Sequence, residues 1–326
     1  MPVYDRSYRR WDGELKRRAL RFVPIVTMGV RNALATKGGW FFTLMLRLFM
    51  LASIAPTALL FLLNCAFAFR PNFLPPEFLG FLDALAPYRA VQYPLLTQFN
   101  VGFLMVYTML FGSGLIAKDR ASGALPLYLS RPLTLADYVL GKVGIVGTFV
   151  ACFTLVPNLV LWVFAIASDA TGHALRDNLP HLLPIILQNV MVIATYSLTI
   201  LACSAVCRKP MFAGLIWFAL VVMLSWIAGM AGLGLGLPAL QAVSPNEAFF
   251  GLGYSLFGIE DVFERARQMS GGRGQFAANV LQAFNMHGDI PPIWCWAALL
   301  GWCVLSLAIV LATLRKQEVV GESGRR

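Results

Sequence analysis

The chain alternates between long apolar runs and short polar breaks. Six runs contain no Asp, Glu, Lys, Arg or His: residues 48–69, 95–117, 143–168, 182–207, 211–237 and 293–314. Each is long enough for a helix to cross the hydrocarbon core, which takes roughly 20 residues. The segments of about ten alternating residues that mark a membrane β-barrel are absent. The pattern predicts an all-α, polytopic membrane protein with six transmembrane helices, organised as a single transmembrane domain over 1–326. Pro56, Pro157 and Pro184 lie inside runs and are candidate kinks, tolerated where neighbouring helices re-satisfy the freed backbone groups. Runs four and five are joined only by Arg208-Lys209-Pro210, a tight helical hairpin.

The polar breaks carry their own patterns. Residues 1–40 are polar and then amphipathic. Pro24 suits the first turn of a helix, and from it Val26, Val30, Ala33 and Leu34 share one face while Thr27, Arg31 and Asn32 share another. Lys37-Gly38-Gly39 interrupts this pattern before the first run. An interfacial helix turning into the membrane fits it, with a plain basic juxtamembrane segment as the alternative. The long break at 238–292 is rich in Phe, Leu and Ile over 246–269 and shows a second helical pattern at 275–284. The two are separated by Ser270-Gly271-Gly272-Arg273-Gly274, a flexible turn. Two short helices on the outer mouth of the bundle are expected.

Composition agrees with the class. Apolar residues make up 58% and charged residues 13%, against about 45–50% and about 25% in soluble domains. Charge then fixes the orientation. Of the 26 Lys and Arg, only Arg70, Arg89, Arg176, Arg265, Arg267 and Arg273 fall in the breaks after runs one, three and five. The others flank the opposite side, which the positive-inside rule makes cytoplasmic. Both termini are therefore expected in the cytoplasm, with the chain integral to the plasma (inner) membrane. The first 22 residues contain no apolar h-region, so the first run is expected to act as its own insertion signal. The net charge of +10 follows from this topology and from contact with anionic lipid, and nucleic-acid binding is not expected. The six Cys all lie in or beside apolar runs and read as small buried hydrophobes.

Candidate chemistry is sparse. An ion-coupled carrier usually keeps an ionisable group at mid-membrane, and the six runs have none. The three His (His173, His181, His287) lie in outer breaks or at the edge of a run, which disfavours membrane haem ligation. Neither a zinc-protease motif nor a phosphate-binding loop is present: Gly141-Lys142 is followed by Val143, and Ala136 stands where the loop's first glycine would be. No catalytic or metal-binding residue is assigned, and no cofactor is expected in this chain. The milder polar residues of the runs are helix–helix hydrogen-bonding groups by default. Asn100, Tyr107, Asn158 and Asn189 are the candidates for a substrate path.

One break stands apart. Residues 118–142 form a basic segment between runs two and three, with Asp119-Arg120-Ala121-Ser122-Gly123-Ala124-Leu125, then Leu127-Tyr128-Leu129-Ser130-Arg131-Pro132, then Gly141-Lys142 opening the next run. Leu125, Leu127, Tyr128 and Leu129 make an apolar knob bracketed by Gly123 and Pro132 as turn points. An exposed apolar patch of this kind marks a contact surface.

These residues resemble the first cytoplasmic loop of ABC-2-type permeases, the membrane-spanning subunits of ATP-binding-cassette exporters. The interfacial helix, the six spans and the structured segment between spans five and six fit the same family. The resemblance implies a cytoplasmic coupling helix between spans two and three that docks on a separate ATPase subunit. Asp119, Gly123, Leu125, Leu127, Tyr128, Leu129 and Pro132 are the residues of that docking loop. It further implies two ATPase subunits, which bind the ATP and Mg, and a second permease copy or homologue, with the substrate passing between the permeases. Family members often carry Glu before the glycine. Here a single Asp119 sits between Lys118 and Arg120, so either Asp119 alone takes that role or the partner's surface matches a more basic loop. The alternatives are a non-transport subunit that anchors or assembles a complex and, further off, an ion-coupled carrier.

Overall fold

The structure is a computed structural model that describes residues 22–34, 40–69, 90–123, 134–168, 174–259 and 290–323. Among these residues the chain forms α1 (Val23–Leu34), α2 (Trp40–Phe69), α3 (Gln92–Gly112), α4 (Ala117–Ala121), α5 (Leu135–Phe153), α6 (Leu155–Ala167), α7 (Ala174–Val206), α8 (Pro210–Leu235), a 3-10 turn (Pro238–Val243), α9 (Pro245–Leu256) and α10 (Pro292–Ser323). No strand occurs among them. Six stretches are long and apolar enough to cross a membrane: Arg47–Ala66, Gln92–Ala121, Leu135–Ala167, Asn178–Val206, Pro210–Gly232 and Pro292–Lys316. Every apolar run of the sequence has its helix. The main difference lies between spans two and three. The second span extends to Ala121 and the third begins at Leu135, so Asp119, read as a residue of the docking loop, stands on a helix, and Lys142, read as the opening of run three, lies two turns inside one.

The bundle is built around α7. It touches α3, α5, α6, α8, α9 and α10 and is the most deeply buried of the six spans. Its residues Val192, Tyr196 and Ile200 pack with Leu104 of α3, Val146 and Val150 of α5, Trp217 of α8, Phe249 of α9 and Leu299 of α10 in one apolar core. The outward faces of the other spans stay apolar: Leu51, Leu59 and Leu62 on α2, Met223, Trp226 and Met230 on α8, and Val304 on α10 are all exposed in the isolated chain. That is the expected surface where the surrounding solvent is hydrocarbon.

Only one of the candidate prolines breaks its helix. Span three is interrupted at Thr154, whose backbone (φ −122, ψ −66) leaves the helical region. Pro157 has no N–H to offer the Phe153 carbonyl one turn back, and its ring crowds that oxygen. Helices α2 and α7 run on through Pro56, Pro180 and Pro184. The segment after α8 also differs from expectation. α9 does not merely cap the bundle: Ala248, Phe249 and Leu252 are fully buried, against α7 and α10. The second short helix expected at 275–284 lies outside the described residues.

α1 does not stand alone. It lies along α5, and glycines make the approach close. A Cβ on Gly144 would come within 2.6 Å of Val26 Cγ2, one on Gly141 would meet Ile25, and one on Gly29 would meet Ile145. Val26, Val30 and Ala33 of the apolar face read from the sequence thus pack on span three, with Ile25 beside them, against Gly144, Ile145 and Phe149. Gly144→Leu is expected to push α1 off α5. Hydrogen exchange should then rise several-fold in 23–34 while 155–167 keeps its protection. Unchanged protection of α1 would mean that the glycines do not set the contact.

Candidate functional site

The 118–142 segment is anchored at both described ends. On its first arm, α4 stops at Gly123, whose φ of +66 lies in the left-handed region that glycine adopts without penalty. On its second arm, α5 opens with a capping box. Thr134 Oγ1 accepts from the Asp137 backbone N–H at 3.1 Å, and the Thr134 N–H donates to Asp137 Oδ2 at 3.2 Å. Leu125, Leu127, Tyr128, Leu129 and Pro132, the apolar part of the candidate docking loop, lie outside the described residues. Of the seven docking residues named from the sequence, the structure places Asp119 and Gly123.

Asp119 is turned into the protein. Its Oδ2 is 2.7 Å from Lys142 Nζ, and the two side chains are only 17% and 10% exposed. The same oxygen accepts a hydrogen bond from the Tyr138 hydroxyl at 2.8 Å. Lys142 Nζ also sits 5.3 Å from the centre of the Tyr138 ring, within reach of a cation–π attraction. Tyr138 and Lys142 are four residues apart and share a face of α5. A lysine 8% exposed overall needs a counter-charge, because desolvation of an unpaired ammonium costs far more than a pair. Asp119 supplies it from across the segment.

The first arm is also fastened to α7. The helical hydrogen-bond pattern of span two lapses between Gly112 and Ala117. There the N–H groups of Ile116 and Ala117 both donate to Ser204 Oγ, at 3.1 and 3.0 Å, and Ser204 donates to the Ser113 carbonyl at 2.8 Å. One buried hydroxyl thus replaces the missing turn. Arg120 donates to the carbonyls of Ala205 and Val206, the last of α7, where a helix leaves carbonyls unsatisfied and favours a cation.

Reading the sequence missed Lys142, Tyr138, Arg120 and Ser204 as members of this cluster. The signal for Lys142 was present: a single lysine beside an apolar run, with a tyrosine one helical turn before it and a carboxylate across the break. Ser204 carried no signal, since its role depends on a lapse in another helix.

The four candidate path residues lie in the interior of the bundle, where Asn158 meets Asn189 while Asn100 and Tyr107 each meet Phe153. Each is at most 1% exposed. Asn158 Nδ2 lies 3.4 Å from Thr97 Oγ1 and 3.5 Å from Asn189 Oδ1, which links α3, α6 and α7. Asn189 also donates to the Ile185 carbonyl at 2.7 Å. Tyr107 donates to Ser53 Oγ of α2 at 3.1 Å and stacks on Phe153 at 4.3 Å. Asn100 Nδ2 donates at 3.1 Å to the Phe153 carbonyl, the group that Pro157 leaves without a partner. The amide therefore completes the kink.

A second polar cluster, unforeseen from the sequence, fixes α9. The Tyr196 hydroxyl donates to Asn246 Oδ1 at 2.6 Å, Asn246 Nδ2 donates to Ser225 Oγ at 3.0 Å, and Ser225 shares a 2.8 Å hydrogen bond with Ser244. These contacts tie α7, α8 and α9 together. Farther along α9, burial pushes the Tyr254 hydroxyl up to about 12, so it stays protonated at any physiological pH.

The kink offers a direct test. Asn100→Leu should destabilise the chain by about 1 kcal/mol, since an interhelical hydrogen bond in a membrane protein contributes on that order. Pro157→Ala returns an N–H to the Phe153 carbonyl, and in that background Asn100→Leu should cost much less. A double-mutant cycle of melting in detergent reads the difference, and equal costs in both backgrounds would refute the pairing.

A model of the family described as ABC-2 family transporter protein matches residues 25–319. The match runs from the first turn of α1 to the last turns of α10, across all six spans and the clustered base of the 118–142 segment. A search of curated proteins returned no match. The extent of the family match, over the architecture described above, settles the assignment: the chain belongs to the ABC-2 transporter family and is a membrane permease subunit of an ABC transporter.

Proposed function

We propose that the chain is the permease of an ATP-driven exporter and that the 118–132 loop is where its ATPase docks. The observation that carries this reading is the family match over 25–319, joined to a loop whose described ends are fastened into the bundle through Asp119, Arg120 and Ser204. A surface that receives force has to be anchored in what it moves. On this reading the apolar Leu125, Leu127, Tyr128 and Leu129 enter the partner's cleft, with Gly123 and Pro132 as turn points. Asp119 serves the loop from below, because its carboxylate is already engaged by Lys142 and Tyr138.

The remaining parts follow from the same reading. Two ATPase subunits bind ATP and Mg and close on each other, and two permeases, identical or similar, form the path between them. Both termini and the basic loops face the cytoplasm across the inner membrane, as the Lys and Arg distribution supports. The path runs between the permeases, with the second and fifth spans proposed to face it. The amides at Asn100, Asn158 and Asn189 stay inside each permease as ties between helices, as their burial supports.

Co-expression with an ABC ATPase encoded beside the chain tests the reading. The ATPase is expected to co-purify in a ratio near one to one, and its hydrolysis should drive flux that an ion gradient alone does not. Leu129→Glu should weaken the complex by about tenfold or more, the effect of placing a charge in an apolar anchor site, while membrane insertion stays intact. Full-strength binding by the Leu129→Glu chain would remove the loop from the interface. Flux that collapses with the ion gradient and ignores ATP would replace the exporter with a secondary carrier.

A further inference from the structure

Span two is not a continuous rod. Between Gly112 and Ala117 its backbone pattern lapses, and the N–H groups of Ile116 and Ala117 turn to Ser204 of α7. A push on α4 alone would therefore bend the chain at this lapse, where the backbone keeps the turn bonds Leu115 N–H to Gly112 and Lys118 N–H to Gly114, at 3.2 and 3.1 Å, but gives the N–H groups of Ile116 and Ala117 to another helix. The second arm, α5, is a regular helix held by a capping box. Left to themselves, the two arms would respond to the same load differently.

The Asp119–Lys142 pair removes that freedom. It spans the two arms at 2.7 Å, with the Tyr138 hydroxyl on the same carboxylate oxygen at 2.8 Å. The pair is largely shielded from water, where an ionic contact is screened little and resists separation. Beyond it, Arg120 and Ser204 fasten the first arm to the end of α7. α7 is the helix that touches α3, α5, α6, α8, α9 and α10, and its Tyr196 holds Asn246 of α9 at 2.6 Å. The base of the loop is thus connected to the element best placed to move the rest of the bundle.

We propose that Asp119, Tyr138 and Lys142 are positioning residues that clasp the two arms of the 118–142 segment into one body, so that a displacement of the loop enters the bundle through α7. This rests on the docking role proposed above and goes beyond it. Docking concerns the apolar tip at 125–129, whereas the clasp concerns what the base does once the tip is held. Two properties should then separate: affinity for the ATPase belongs to the tip, and transmission belongs to the clasp.

The test uses the full chain in nanodiscs with the ABC ATPase that co-purifies with it. Hydrogen exchange is followed in 117–122, 198–206 and 245–256, with and without ATP and vanadate to trap the closed ATPases. In the unaltered complex, trapping should change exchange in both 198–206 and 245–256. Lys142→Met and Asp119→Asn should each speed exchange in 117–122 and bind the ATPase within about twofold of the unaltered chain. Both should lose most of the nucleotide-driven change in 198–206 and 245–256. Tyr138→Phe, which removes only the hydroxyl, should lose part of it. The reversed pair, Asp119→Lys with Lys142→Asp, should regain much of the response, which a purely packing role for either residue would not produce.

The proposal is overturned if the single variants transmit as fully as the unaltered chain, if the reversed pair stays as silent as the single variants, or if the single variants lose the ATPase itself. In each of these cases the docking reading stands on its own. If the unaltered chain captures no ABC ATPase, or shows no response to trapping, the docking reading falls and the clasp's role in transmission falls with it.

Discussion

Inside hydrocarbon there is no water to satisfy a polar group, so every donor, acceptor and charge carried there must be met by the protein itself. This constraint explains most of the specific contacts in the bundle. Pro157 deprives the Phe153 carbonyl of its helical partner, and Asn100 of the neighbouring span supplies one. Span two departs from its helical pattern at Ile116 and Ala117, and Ser204 takes both N–H groups. Lys142 is drawn under the apolar surface, and Asp119 follows it. In each case an irregularity in one helix is made good by a side chain from another, and the repair becomes a tie between helices.

The repairs are not evenly distributed. Several converge on α7, which gives Ser204 and its terminal carbonyls to span two, Asn189 to span three, and Tyr196 to α9. Around Tyr196, Ile200 and Trp217 it is close-packed with apolar side chains, and the Trp217 indole N–H donates to Thr199 Oγ1 at 2.9 Å. A helix packed against α3, α5, α6, α8, α9 and α10 carries its neighbours when it moves, because packed interiors transmit displacement instead of absorbing it. The spans at the periphery, α2 and α8 among them, keep broad apolar faces turned outward.

Much of the architecture was legible in the sequence. The six uncharged runs identified the six helices, since a run of that length in this composition has few other uses. Pro24 and the face through Val26 and Val30 marked α1 within a residue of its start. Asn100, Asn158 and Asn189 are candidates for a substrate path in the sequence, with helix–helix hydrogen bonding as the default role, and which carbonyl or hydroxyl each meets is not readable there. Pro56, Pro157 and Pro184 looked alike as candidate kinks, yet only Pro157 interrupts its helix. Each proline leaves the carbonyl one turn back without its helical partner; at Pro157 the backbone opens at Thr154 and Asn100 supplies the replacement donor.

The sequence by itself determined the class, the number of spans and the polar segment between spans two and three that is proposed to dock, because each depends on local hydrophobicity, charge and turn residues. Only the tertiary structure decided what Asp119 does. Alone it is one acid between two bases at the edge of a loop. In the fold it meets a lysine 23 positions away and a tyrosine beside that lysine, brought together by the packing of α4, α5 and α7. Pairing across such a distance follows from which helix faces touch, and single-chain periodicity does not encode that. The same holds for α9, whose apolar pattern announced a helix but whose depth was set by Asn246 finding Tyr196 and Ser225 inside the bundle.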